Sequence, residues 1–184
     1  MIELSKATLT RFGKSEKLTK FMHCDLKDLY LKQEELDLEI AKNHNINYEV
    51  TRHKRILALL VELGEFANTT RTFKFWSNKG MEEKSVVLDE FADGLHFLLS
   101  LGIDKGYVLE SLDVEDDEMN LTDNLLTTYS LVSEYKEYQT LDNYVSMFSS
   151  YLRALYKIGM DWSEAKNAYY IKLKENHHRQ ETNY

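Results

Sequence analysis

Apolar residues recur at helical spacing along most of the chain. Phe21, Leu26, Leu29, Leu36 and Ile40 fall on or near one side of a helix expected from about Lys20 to His44. The asparagines of "NHNIN" (Asn43 to Asn47) close it. A second helix is expected from about Tyr48 to Thr69. A third runs from about Met81 to Leu101, with Gly102 as its C-cap. The connector "TRTFKFWSNKG" (Thr70 to Gly80) lies between them. Three more helices are predicted at about Leu121–Glu137, Leu141–Gly159 and Ser163–Glu181, the last capped by Ser163 with Glu164 in its first turn. "LDVEDDEMNLTDN" (Leu112 to Asn124) reads as a solvated acidic loop; it lacks the D-x-D-x-D-G order of a calcium loop. The pattern predicts an all-α fold of about six helices in a single domain over 1–184. Residues 1–19, weakly patterned, form an N-terminal extension or a short leading helix, and 20–184 form the body.

Composition supports that reading. Proline is absent from all 184 residues, against an average usage of about 5%, and proline is the strongest breaker of helices. A chain of this size can bury roughly 70% of its unfolded surface and needs no staple. Its single cysteine, Cys24, makes no intramolecular disulfide and no cysteine-based metal site. With no apolar signal segment at the N-terminus and no run of membrane-spanning length, a cytoplasmic protein is expected. The net charge of −8 argues against nucleic acid or an anionic membrane as a partner. It leaves room for a phosphate compound bound locally.

Two of the predicted helices carry acids where apolar residues surround them. Glu62 and Glu65 sit among Ile56, Leu57, Leu59, Leu60, Val61, Leu63 and Phe66. Glu90 and Asp93 sit among Val86, Val87, Leu88, Phe91, Leu95, Phe97, Leu98 and Leu99. Acids three apart share a helix face, and helices this apolar are buried. Buried carboxylates are costly and repel one another. A divalent cation resolves both problems, and an all-oxygen set suits Mg²⁺ or Mn²⁺. Either pair alone reads more readily as a solvated stripe; the apolar setting and the recurrence on two helices bring a metal site level with that reading. A di-iron bundle needs Glu-x-x-His on two helices. Here Asp93 and His96 give one such spacing, and "ENHH" (Glu175 to His178) lies near the polar C-terminus.

Other residues carry chemistry only in context. Lys172, Asn176 and Arg179 share one helix face, fit to grip phosphate. The favourable placing of cations at a helix C-terminus explains them as well. Phe73, Lys74, Phe75 and Trp76 place rings beside a cation, suited to stacking on a base or to loop packing. Gln33 and Asp37, at i and i+4, reach a base edge or are plain helix surface. His96 on an apolar helix reads first as a structural histidine.

Taken together, these stretches resemble the dimeric, all-α dUTPases, relatives of the MazG-type nucleotide pyrophosphohydrolases. The matching stretches, in order, are "QEELD" (Gln33 to Asp37), "ELGEFANTTRTFKFW" (Glu62 to Trp76), "EFADGLHFLLSLG" (Glu90 to Gly102) and "YIKLKENHHRQETNY" (Tyr170 to Tyr184). The resemblance implies a helical bundle of the all-α NTP pyrophosphohydrolase type. It implies Mg²⁺-dependent hydrolysis of dUTP, and of dUDP, to dUMP by a homodimer. It assigns Glu62, Glu65, Glu90 and Asp93 to the metal, with Glu62 and Glu65 catalytic. Lys172, Asn176 and Arg179 go to the phosphates, and Trp76, Gln33, Asp37, Lys74 and His96 to the nucleotide. Two departures stand out: Asn183 where the family often has glycine, and Asp37 where it often has asparagine. The second puts the details of uracil recognition in question. A sister enzyme acting on dCTP or a non-standard nucleotide, and a non-enzymatic helical interaction protein on the same scaffold, are the alternatives. The stretch "YVSMFSSYLRALYKIG" (Tyr144 to Gly159) serves a dimer interface or the monomer core.

Overall fold

The computed structural model describes residues 21–182. Its elements are β1 (Phe21–Asp25), α1 (Lys27–His44), α2 (Tyr48–Thr70), α3 (Lys84–Lys105), β2 (Ser111–Glu115), α4 (Leu121–Glu137), α5 (Leu141–Ile158) and α6 (Trp162–Glu181). Six helices and one short ribbon make an all-α bundle. Among the described residues no helix is long and apolar enough to cross a membrane.

The third helix is the axis of the fold. It packs against α1, α2 and α6, while α4 and α5 pair with each other and α4 also meets α2. Its residues Phe91, Ala92, Gly94 to His96 and Leu98 to Gly102 are all buried, which explains why its sequence is apolar nearly all round. Tyrosines from α5 reach across to its main chain. Tyr151 donates to the Phe91 carbonyl at 2.7 Å and Tyr144 to the Leu98 carbonyl at 3.0 Å. Gly94 and Gly102 make this possible, because a Cβ at either would run into the tyrosine hydroxyl. Gly102 is therefore not the C-cap expected from the sequence. The helix continues to Lys105 and ends at Gly106, whose φ of 71° is left-handed.

Other expectations also shift. The first helix begins at Lys27, not Lys20, and Phe21–Asp25 is a strand in which Met22 and Cys24 are buried and Phe21, His23 and Asp25 exposed. It pairs antiparallel with β2, Phe21 opposite Glu115 and Asp25 opposite Ser111. The front of the predicted acidic loop is thus a strand. Three side chains of α5 hold the backbone of the strand and the residues just after it: Arg153 on the Glu115 carbonyl (2.9 Å), Tyr156 on that of Val114 (3.3 Å) and Lys157 on that of Asp117 (2.6 Å). The third helix starts at Lys84 rather than Met81. Asp161, not Ser163, caps α6, in a capping box with Glu164. Tyr144, Met147, Phe148, Tyr151, Leu152 and Leu155 are buried within the one chain, so the apolar face of α5 completes the monomer core.

Candidate active site

The packing of α2 against α3 brings the predicted acids together. One carboxylate oxygen each from Glu62, Glu65 and Glu90 lies within 4.8 Å of the others. Asp93 falls outside that group, because Lys172 of α6 holds its carboxylate at 2.8 Å and touches Asp89 at 2.9 Å. The crowding is visible in the acids themselves. Burial, then Asp93, Glu65 and Glu90, pushes the Glu62 carboxyl up to about 7. Burial and the neighbouring acids raise Glu90, and burial outweighs Lys172 in raising Asp93. Charges this uncompensated fit a cation, and the group contains carboxylates only. Among the described residues the group that could hold a metal contains no histidine, which a di-iron set would need.

Beside the acids lies a cavity of about 380 Å³, walled by α1, α2, α3 and α6. Glu62 belongs to both the acidic group and this wall, and Asp93 lines the wall beside it. Asn176 and Arg179, one and two turns beyond Lys172, line it as well. Lys172 itself is buried under the acids. Gln33, Asp37 and His96 line the same cavity. Lys74 and Trp76 do not. They stand on the connector between α2 and α3, where Trp76 is 66% exposed and meets Phe75 edge-on at 4.9 Å.

The α1 wall is a polar network that sequence patterning only half shows. Gln33 donates to Asp37 at 2.9 Å, and Tyr48 and Ser100 donate to the same carboxylate at 3.0 and 2.6 Å. Arg55 lies behind it, bonded to the Tyr48 carbonyl at 2.6 Å and the Thr51 hydroxyl at 2.7 Å. His96 accepts the face of Tyr169 at 4.3 Å between ring centres. Tyr48, Arg55, Ser100 and Tyr169 escape a sequence reading. Only Arg55, a cation at the apolar start of "ILALL", leaves a trace.

This arrangement offers a place for cations, a grip for phosphates and a half-buried polar wall beside them. A family model described as dUTPase matches residues 25–184. No curated protein matches the chain. The acids, the tail residues and the α1 wall all fall inside the matched region, and the match covers most of the chain: it belongs to the all-α dUTPase family, whose reaction is the hydrolysis of dUTP to dUMP.

Proposed function

We propose that this protein hydrolyses dUTP at the acidic group between α2 and α3, and that Glu62, Glu65, Glu90 and Asp93 hold Mg²⁺, or Mn²⁺ in its place. The observation that carries the reading is the convergence of three carboxylates within 4.8 Å, one of which, Glu62, also lines the neighbouring cavity. Mg²⁺ held by these acids would neutralise charge on the phosphates and make water a better nucleophile.

The residues of the chain do the rest. Glu62 takes a proton from the attacking water; its carboxyl reaches about 7 only in the crowd of acids without a cation, and Mg²⁺ in that group would lower it. Glu65 stands three residues along the same face and orients it. The bond between the α- and β-phosphates breaks and pyrophosphate leaves. Lys172 and Arg179 neutralise the charge that develops, and Asn176 donates to a phosphate oxygen. Gln33, Asp37 and His96 hold the base. Lys74 and Trp76, on the connector and off the cavity wall, are assigned to the nucleotide by the family resemblance alone. The same bond is present in dUDP, which is a substrate too.

The proposed assembly is a homodimer. Val50, Leu57 and Val61 lie on one face of α2, 63, 63 and 49% exposed, and Leu126 on neighbouring α4 is 61% exposed. Apolar residues in such a stripe suit a self-association surface. The site assignment is tested by Glu62→Gln. Turnover should drop by about 10²–10⁴-fold while circular dichroism stays unchanged; near-normal turnover removes the assignment.

A further inference from the structure

Asp89 belongs to neither the carboxylate group nor the cavity wall. It stands one residue before Glu90, with its side chain 47% exposed. Its charge adds to the repulsion on Glu90 and Asp93. A fifth acid here worsens the crowding unless it has another task. That task is visible at Lys172. The Lys172 ammonium donates to Asp89 Oδ2 at 2.9 Å and lies 2.8 Å from Asp93 Oδ2. Asp89 and Asp93 are four apart and share one face of α3, and α6 packs against that helix. The two acids form a fork that closes on one buried cation, whose side chain is 6% exposed.

The fork leaves Asp93 with two claims on it. The proposed metal set includes Asp93, yet its carboxylate stands apart from the three that converge and faces Lys172 instead. To join them it must give up the ammonium. A buried ammonium left without an acid is costly. Asp89 removes that cost, because it keeps its own bond to Lys172 once Asp93 has turned. An ammonium has three N–H groups. One on Asp89 fixes its position, and the others are left for phosphate oxygens. With Asp93 as its one partner, Lys172 would compete with the cation for the same carboxylate.

We propose that Asp89 is a positioning residue: it holds Lys172 at the phosphates and thereby frees Asp93 for the metal. This rests on the metal assignment proposed above. In this role Asp89 touches neither metal nor nucleotide. Its effect on metal binding runs through Lys172, so it disappears when Lys172 is removed. A negative charge acting through space would instead attract the cation whether or not Lys172 is there.

Mn²⁺, the stand-in named above, is titrated into the nucleotide-free protein and its free ion counted by electron paramagnetic resonance. Asp89→Asn should weaken Mn²⁺ binding by about three- to tenfold, within the range for coupled neighbours. In Lys172→Met the same substitution should change nothing. At saturating Mg²⁺, Asp89→Asn should lower kcat for dUTP by about tenfold and leave KM nearly unchanged, since Lys172 acts on charge that develops in the transition state. Unchanged Mn²⁺ affinity in Asp89→Asn overturns the proposal. So does an equal loss in the Lys172→Met background, and so does a change confined to KM. If Lys172→Met does not fold, salt decides. The ratio of wild-type to Asp89→Asn affinity should survive about 0.5 M KCl, which screens a half-exposed charge far more than a bond to a buried one; a ratio that closes overturns the proposal. A wild-type protein that takes up no Mn²⁺ removes the metal assignment and this proposal with it. Normal uptake by both wild type and Asp89→Asn removes this proposal alone.

Discussion

Glu62 is an acid that its own helix buries, and its raised pKa gives the site a signature in stability. A carboxyl whose pKa is about 7 when folded, and in the usual carboxylate range when unfolded, binds more protons in the folded state between those values. Stability contributed by it therefore falls as pH rises through that window. The metal-free Glu62→Gln protein escapes this loss. Its melting temperature relative to wild type should climb from pH 5 to pH 8 in chelator, and Mg²⁺ should shrink the difference. His96, held down to about 3, works in the opposite sense at lower pH but is common to both proteins and cancels in the comparison. A pH-independent difference would mean that Glu62 is not crowded. At this scale the sequence is a good guide to the four acids, because charge inside an apolar helix is conspicuous. It is a poor guide to Tyr48, Ser100 and Tyr169, which matter through contacts between helices that no local spacing encodes. It also places Lys172 on a phosphate-gripping face without revealing that Asp89 and Asp93 engage it.

Two glycines that look alike in sequence act differently within α3. Gly102→Ala thrusts a methyl group at the Tyr144 hydroxyl and should cost about 1–3 kcal/mol, the range for overpacking a filled core. Gly106→Ala meets open space but keeps a φ of 71°, and should cost about 1 kcal/mol from the left-handed backbone alone. Urea denaturation separates the two. The same measurement on α6 should show Asp161→Ala losing about 1 kcal/mol as the true cap, and Ser163→Ala less. Helix bodies were legible because their apolar pattern persists for about five turns or more. Their ends were not, since a glycine or serine near the end is equally a cap or a packing residue. The ribbon was illegible for a related reason. Five residues of alternation in "FMHCD" run straight into α1, and β2 hides its buried Val114 among acids.

The bundle as a whole explains why an active site can lie in its centre: α3 contributes core on most sides and acids on one. The apolar face of α5, ambiguous in sequence, is consumed within the monomer. The stripe on α2 and α4 stays exposed, and the proposed homodimer would bury it. Leu57→Asp should convert a dimer to monomers in light scattering; an unchanged mass places the interface elsewhere. Mg²⁺ at a hundredfold excess over its dissociation constant should stabilise the protein by about 2.7 kcal/mol, and Glu90→Gln should lessen that gain. The most direct test of the central claim is product analysis with Mg²⁺, wild type beside Glu62→Gln, on dUTP, dUDP, dCTP and dTTP separately. The account predicts dUMP from dUTP and dUDP with wild type, little from dCTP or dTTP, and almost none from the variant. Comparable turnover by Glu62→Gln, or no selectivity for uracil, would contradict it.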